Sequence, residues 1–159
     1  VTAGTETLGC ADRAALSDLV HRYAAGVDDR DFDSVAALFT EDGILAAAAP
    51  PKHLDPVTEH VGRDGVLEAM QALLAVRGTF HAVAGEVFTI LGPDTASGRV
   101  ACQAHHFFEL ADESSPRASD LTWTVTYRDS YRRTSQGWRF ARREVYVGSV
   151  GTRHLEVLR

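Results

Sequence analysis

The chain has 159 residues, 45% hydrophobic and 24% charged, the size and balance of one globular domain rather than a disordered segment. A formal net charge of -6 argues against nucleic-acid and anionic-membrane binders, which need a cationic face to neutralise phosphates. The two cysteines, Cys10 and Cys102, make no CxxC or Cys/His spacing, which leaves out a disulfide framework and a zinc motif.

No apolar run reaches the roughly twenty residues of a membrane span, and residues 1–9 show neither a basic nor an apolar signal region. The expectation is a cytoplasmic protein with one domain over residues 10–150 and terminal tails at 1–9 and 151–159. Leu16, Leu19, Val20, Tyr23 and Val27 form one stripe of a 3.6-residue period and predict a first helix, with Asp12 as N-cap and Asp28-Asp29-Arg30 at its end. Asp31 then reads as the N-cap of a short second helix carrying Phe32, Val35, Ala36 and Phe39. Residues 46–61, with three prolines and two histidines, show no period and read as a loop that could act as a lid. A third helix is predicted from Asp64, with Val66, Leu67, Met70, Leu73 and Leu74 on one side and Gly78 as its stop.

Beyond Gly78 the period changes to two. A strand over 79–91 turns at Gly92-Pro93-Asp94, with His81 in phase with Val83 and Val87. The next, 98–110, sets Val100, Cys102, Ala104, His106, Phe108 and Leu110 on one face and Arg99, Gln103, His105 and Glu109 on the other. After a polar loop at 111–119, a strand over 121–133 sets Leu121, Trp123, Val125, Tyr127, Asp129 and Tyr131 on one face, with Arg128 and Arg132 opposite. Ser135-Gln136-Gly137 predicts a hairpin turn into a last strand, 138–147. Helices followed by long antiparallel strands predict an α+β fold, a curved sheet whose helices cover its concave side and enclose a cone for a small ligand.

His106 is the ionisable group on the otherwise apolar face of its strand, so it is either a satisfied core histidine or a functional one. Asp28 sits in the last turn of a helix, an electrostatically poor place for a carboxylate, and reads as a surface acid or a functional one. His81 is open in the same way, His105 faces outward, and inward Asp129 calls for a partner such as an arginine. No GxGxxG, P-loop, GxSxG or HExxH stands in the chain, so chemistry without a cofactor or metal, or no chemistry, is expected.

The segments 16–39, Thr79-Phe80-His81, Ala104-His105-His106 and the closing hairpin 131–140 resemble the SnoaL-like branch of the nuclear-transport-factor-two-like superfamily, and within it the scytalone dehydratase-type group. The resemblance implies a cone-shaped, cystatin-like sheet and a catalytic set of one aspartate and two histidines at Asp28, His81 and His106. Val27 stands where that group has a tyrosine, Ala47 lies near the place of a second, and Tyr127 replaces its strand amide. Tyr23, Val27, Phe108, Trp123, Tyr127 and Asp129 are expected to line the substrate site.

A neutral imidazole can take a proton beside a carbonyl and return it to a leaving hydroxyl, while a carboxylate on its other nitrogen fixes the tautomer. Asp28 is expected to hold His106 in this way. The expected function is therefore a cofactor-independent dehydratase or isomerase acting on an apolar, cyclic, carbonyl-containing small molecule. A non-catalytic binding or interaction domain is the alternative, with polyketide cyclase or epoxide hydrolase below it. An epoxide hydrolase would need an inward arginine, and Arg128 and Arg132 point outward. A homo-oligomer, dimer or trimer, is expected through outward Ala101, Phe107, Ala141, Val145 and Val147.

Overall fold

Six strands and three helices make up the computed structural model, which describes residues 9–110 and 117–156. Helices α1 (Cys10–Asp28) and α2 (Phe32–Ala37) come first, then strands β1 (Phe39–Ala49) and β2 (His53–Val61). Helix α3 (Gly62–Gln71) runs into a 3-10 turn at Ala72–Ala75. Four long strands follow: β3 (Gly78–Gly92), β4 (Thr95–Leu110), β5 (Arg117–Thr134) and β6 (Gly137–Glu156). The sheet order is β2-β1-β6-β5-β4-β3, antiparallel except for the β1–β6 pair, and the curved sheet does not close into a barrel. This is the expected α+β architecture.

The stripe of α1 is buried from Leu16 to Val27 and packs on the sheet. Its N-cap is Gly9 rather than Asp12. Asp12 instead accepts from Trp138 Nε1 at 3.0 Å and an Arg133 nitrogen at 2.8 Å, tying the helix start to the β5–β6 hairpin. Asp31 caps α2 as expected, accepting from the Ser34 N–H at 3.2 Å. Between the helices Arg30 takes a left-handed φ of 62°. Its guanidinium donates to the Leu73 and Val76 carbonyls, fastening the α1–α2 corner to the segment after α3.

The expected loop over 46–61 is a β-hairpin: Ile44 pairs with Val61 and Ala47 with Thr58. Its alanines and prolines carry little strand signal, and Pro56 is tolerated because β2 is a sheet edge. The third helix stops before Gly78, which opens β3, and Leu74 is exposed at 63% rather than packed. A bulge in β3 between Val83 and Gly85 shifts the alternation, so Val87 is exposed at 63% while Phe88 is buried. His81 is therefore in phase with Val83 but not with Val87.

The last strand is nine residues longer than the expected end at Val147: it pairs with β5 up to Glu156, so residues 151–156 are sheet rather than tail. Two bulges in β6, at Ala141 and Gly148, reset its register. The first turns Arg143, Val145 and Val147 inward, which corrects the outward placement of the two valines. Of the expected 111–119 loop, residues 111–116 lie outside the described residues and 117–119 belong to β5.

Candidate active site

Helices α1 and α3, the β1–β2 hairpin and the inner sheet face enclose a cavity of about 400 Å³. Tyr23 and Val27 reach it from α1, His81 from β3, His106 from β4, and Trp123 and Tyr127 from β5. Most of the remaining wall is aliphatic, including Leu45, Met70, Leu73 and Val145. A larger groove of about 660 Å³ lies outside, between α1, α2 and the β5–β6 turn, and none of the histidines lines it. Phe108 and Asp129 do not line the cavity, contrary to expectation.

Asp28 stands behind His81 at the end of α1. Its Oδ1 lies 2.7 Å from His81 Nδ1, its Oδ2 accepts the His81 backbone N–H at 2.7 Å, and Oδ1 also accepts from Thr79 Oγ1 at 2.9 Å. Burial pushes this carboxyl up, but the bonds from the His81 ring and backbone and from Thr79 outweigh it and hold the group below the usual carboxylate range. The helix end that should repel a carboxylate is thus offset by three donors from one strand.

Asp28 does not hold His106, which is a second correction. The carboxylate meets the first residues of β3, whereas His106 Nδ1 lies 3.2 Å from the Leu121 carbonyl, to which it donates. His106 is buried, its desolvation holds it below the ordinary histidine value, and its ring centroid lies 6.5 Å from that of His81. With both Nδ1 atoms engaged by acceptors, each neutral ring carries its bare nitrogen at Nε2. His105 points to the opposite face, as the alternation requires, and bonds Asp120 at 2.9 Å.

Asp129 does find an arginine. Arg143, fully buried, bonds it through Nε at 2.9 Å and a terminal nitrogen at 2.8 Å, and Tyr131 donates to the same carboxylate at 2.8 Å. The guanidinium sits 4.1–4.3 Å from the ring centres of Tyr23, Tyr127 and Phe140. An inward arginine therefore exists, the kind of partner that Asp129 called for, on β6 rather than on β5 with Arg128 and Arg132. It is sealed beneath the cavity's tyrosine wall and committed to Asp129.

His60 of β2 and Glu68 of α3 also line the cavity, and sequence reasoning missed both, His60 because β2 was read as loop. Helical phase alone puts Glu68 off the buried side of α3. Among the described residues no three His, Cys, Asp or Glu side chains converge as a metal set.

A curved open sheet under N-terminal helices, with acid/base side chains on one small apolar cavity, defines the nuclear-transport-factor-two-like, cystatin-like class. The chain belongs to the SnoaL-like domain family, whose model matches residues 10–144. Uncharacterised proteins of Mycobacterium tuberculosis and Mycobacterium bovis are 29% identical over 136 residues, 83% of this chain and 82% of theirs. A candidate aromatic ring hydroxylase from Novosphingobium aromaticivorans superposes with a TM-score of 0.74 at 26% identity, covering 92% of this chain and 96% of that one. A candidate scytalone dehydratase from the same species gives 0.74 at 21% identity, with 92% and 91% covered. A hexachlorocyclohexane dehydrochlorinase from Novosphingobium barchaimii gives 0.73 at 16%, with 90% of each covered. The last two likenesses show the fold alone.

Proposed function

We propose that the protein is a cofactor-independent dehydratase or isomerase that moves a proton beside the carbonyl of an apolar, cyclic small molecule. The observation that carries this reading is the Asp28–His81 pair, 2.7 Å apart, in which His81 lines an apolar cavity that His106 shares and Asp28 stands behind it. His81 is the catalytic base in this reading: Nε2 takes the proton next to the carbonyl, and Asp28 stabilises the imidazolium as it forms. The C–H electrons become the enolate and then the new double bond. In dehydration the imidazolium returns the proton to the departing hydroxyl as water leaves; in isomerisation it delivers the proton to a carbon further along. His106, kept neutral by burial, accepts a hydrogen bond from a substrate hydroxyl at Nε2 and so orients it. The candidate dehydratase and the dehydrochlorinase among the structural neighbours are both named for eliminations, which fits this chemistry without choosing the leaving group.

The test is turnover on a panel of apolar hydroxy-ketones and enones, followed by water loss or double-bond migration. The wild type should act on at least one member, and His81→Ala should lose about 10²-fold or more. Wild-type turnover that survives this substitution would remove the mechanism.

A second reading, a ligand-binding domain without chemistry, draws on the same three bonds to Asp28, since they also fasten α1 to β3. Saturable binding across the panel with no turnover would favour it.

A further inference from the structure

Thr79 stands two residues before His81 on β3, so the two side chains share the inner face. In the ladder it pairs with His106 of β4, which places it between the two histidines of the site. It is 9% exposed and does not line the cavity, so substrate does not touch it. Its hydroxyl donates to Asp28 Oδ1 at 2.9 Å, the same oxygen that meets His81 Nδ1 at 2.7 Å. Besides His81, Thr79 is the only side chain that bonds Asp28 among the described residues. A buried strand position would suit valine equally, since it has the shape of threonine and the same preference for strands. The hydroxyl therefore answers to the carboxylate and not to the fold. A carboxylate turns broadly about its last side-chain bond. Here the His81 backbone N–H holds Oδ2 and Thr79 holds Oδ1, so the plane of Asp28 is fixed without the imidazole.

We propose that Thr79 is a positioning residue of the proton-transfer pair: its hydroxyl presets the Asp28 carboxylate so that His81 Nδ1 faces an aligned acceptor. The inference rests on the proton-transfer reading of the same site and adds a residue to its machinery. As Nε2 takes the substrate proton, the ring gains positive charge and its Nδ1–H bond to Oδ1 strengthens. An acceptor already in place needs no reorganisation at that moment, which is how preorganised groups lower a barrier. A second effect falls on the proton. Oδ1 with the Thr79 O–H on it is the weaker base, so the Nδ1 proton stays on the ring. The imidazolium then returns its Nε2 proton to the departing hydroxyl, and Asp28 remains a carboxylate throughout. In keeping with this, Thr79 is among the donors that hold Asp28 below the usual carboxylate range.

Thr79→Val removes the hydroxyl and keeps the shape, whereas Thr79→Ser keeps the hydroxyl and removes the methyl. On a hydroxy-ketone that the wild type turns over, Thr79→Val should lose about tenfold in kcat, the worth of a bond to a charged group, with KM nearly unchanged. Thr79→Ser should recover most of that loss. Thr79→Ala carries the same expectation as the valine variant and replaces it if valine does not fold. The Asp28 ¹³C carboxyl signal, assigned through Asp28→Asn, should titrate at higher pH in Thr79→Val and near the wild-type pH in Thr79→Ser. His81 and Cys102, the titratable groups acting on Asp28, are kept in both variants. Wild-type kcat in Thr79→Val, or a serine variant as slow as the valine one, would overturn the inference, the latter by assigning Thr79 to packing. An Asp28 signal that titrates alike with and without the hydroxyl would overturn it with no substrate needed. A His81→Ala enzyme that keeps its rate would instead remove the proton-transfer reading, and this inference with it.

Discussion

Asp28 and His106 both titrate below their ordinary values, by opposite routes. Hydrogen bonds from the strand below overcome the burial of Asp28 and keep it ionised, whereas desolvation keeps His106 neutral. Each has a consequence for stability. Protonated His106 is penalised in the folded chain and not in the unfolded one, so the unfolded state binds the extra proton as pH falls below about 6.5. Its contribution is complete above that pH and is lost progressively down to the lower native value. The Asp28 contribution is complete above about 3.9, the ordinary carboxylate value, and is lost as pH falls through its depressed native value. Melting temperature measured against pH should therefore fall in two acid phases. His106→Gln should abolish the upper phase and spare the lower; an unchanged upper phase would assign it to another group. The residue types of the site were legible because His106 interrupts an apolar face and Asp28 sits at the wrong end of a helix. Their pairing was not. Which histidine meets Asp28 depends on where the end of α1 lands on β3, a tertiary fact with no local signature.

At the scale of elements, α1 was plain from its stripe because a 3.6-residue period needs no partner to be read. The bulges at Ala84 and Ala141 were invisible, since an extra residue in one strand shows only against its neighbour. The second of these hid the inward turn of Arg143, the partner that Asp129 called for. The β1–β2 hairpin was lost to its alanines and prolines, and with it His60 and half of one cavity wall. The crossing of α1 and α2 is held by a missing side chain: a Cβ on Gly26 would stand 2.7 Å from Val35 Cγ2, inside a packed core. Gly26→Ala should gain about 1 kcal/mol of helix propensity and lose about 1–3 to overpacking. The net expectation is destabilisation of roughly 1 kcal/mol, read as a lower urea midpoint at unchanged slope. A more stable variant would mean that the helices separate without cost.

At the scale of the whole molecule, β3 is a sheet edge whose outward residues Phe80, Val87 and Leu91 are 55%, 63% and 67% exposed. An edge strand with large apolar groups invites pairing with another chain. With Val145 and Val147 turned inward, the expected homo-oligomer falls to this strand and its neighbours Ala101 and Phe107. Light scattering at high micromolar concentration should give more than one chain's mass, and Phe80→Glu with Val87→Lys should reduce it to the monomer. A wild-type monomer would contradict the expectation.

Inside that surface lies an apolar cavity lined by His81, a strand histidine that a helix-terminal carboxylate holds from behind. The most direct test of its function is a double-mutant cycle on the hydroxy-ketone that the wild type turns over. Asp28→Asn should retain the fold by circular dichroism yet lose about 10²-fold or more in kcat, because an amide cannot stabilise the imidazolium. His81→Ala should lose at least as much, and the double variant little more than His81→Ala alone, as for residues that act as one unit. Losses that multiply in the double variant, or an Asp28→Asn enzyme with near wild-type kcat, would contradict the Asp28–His81 pair as the proton-transfer device.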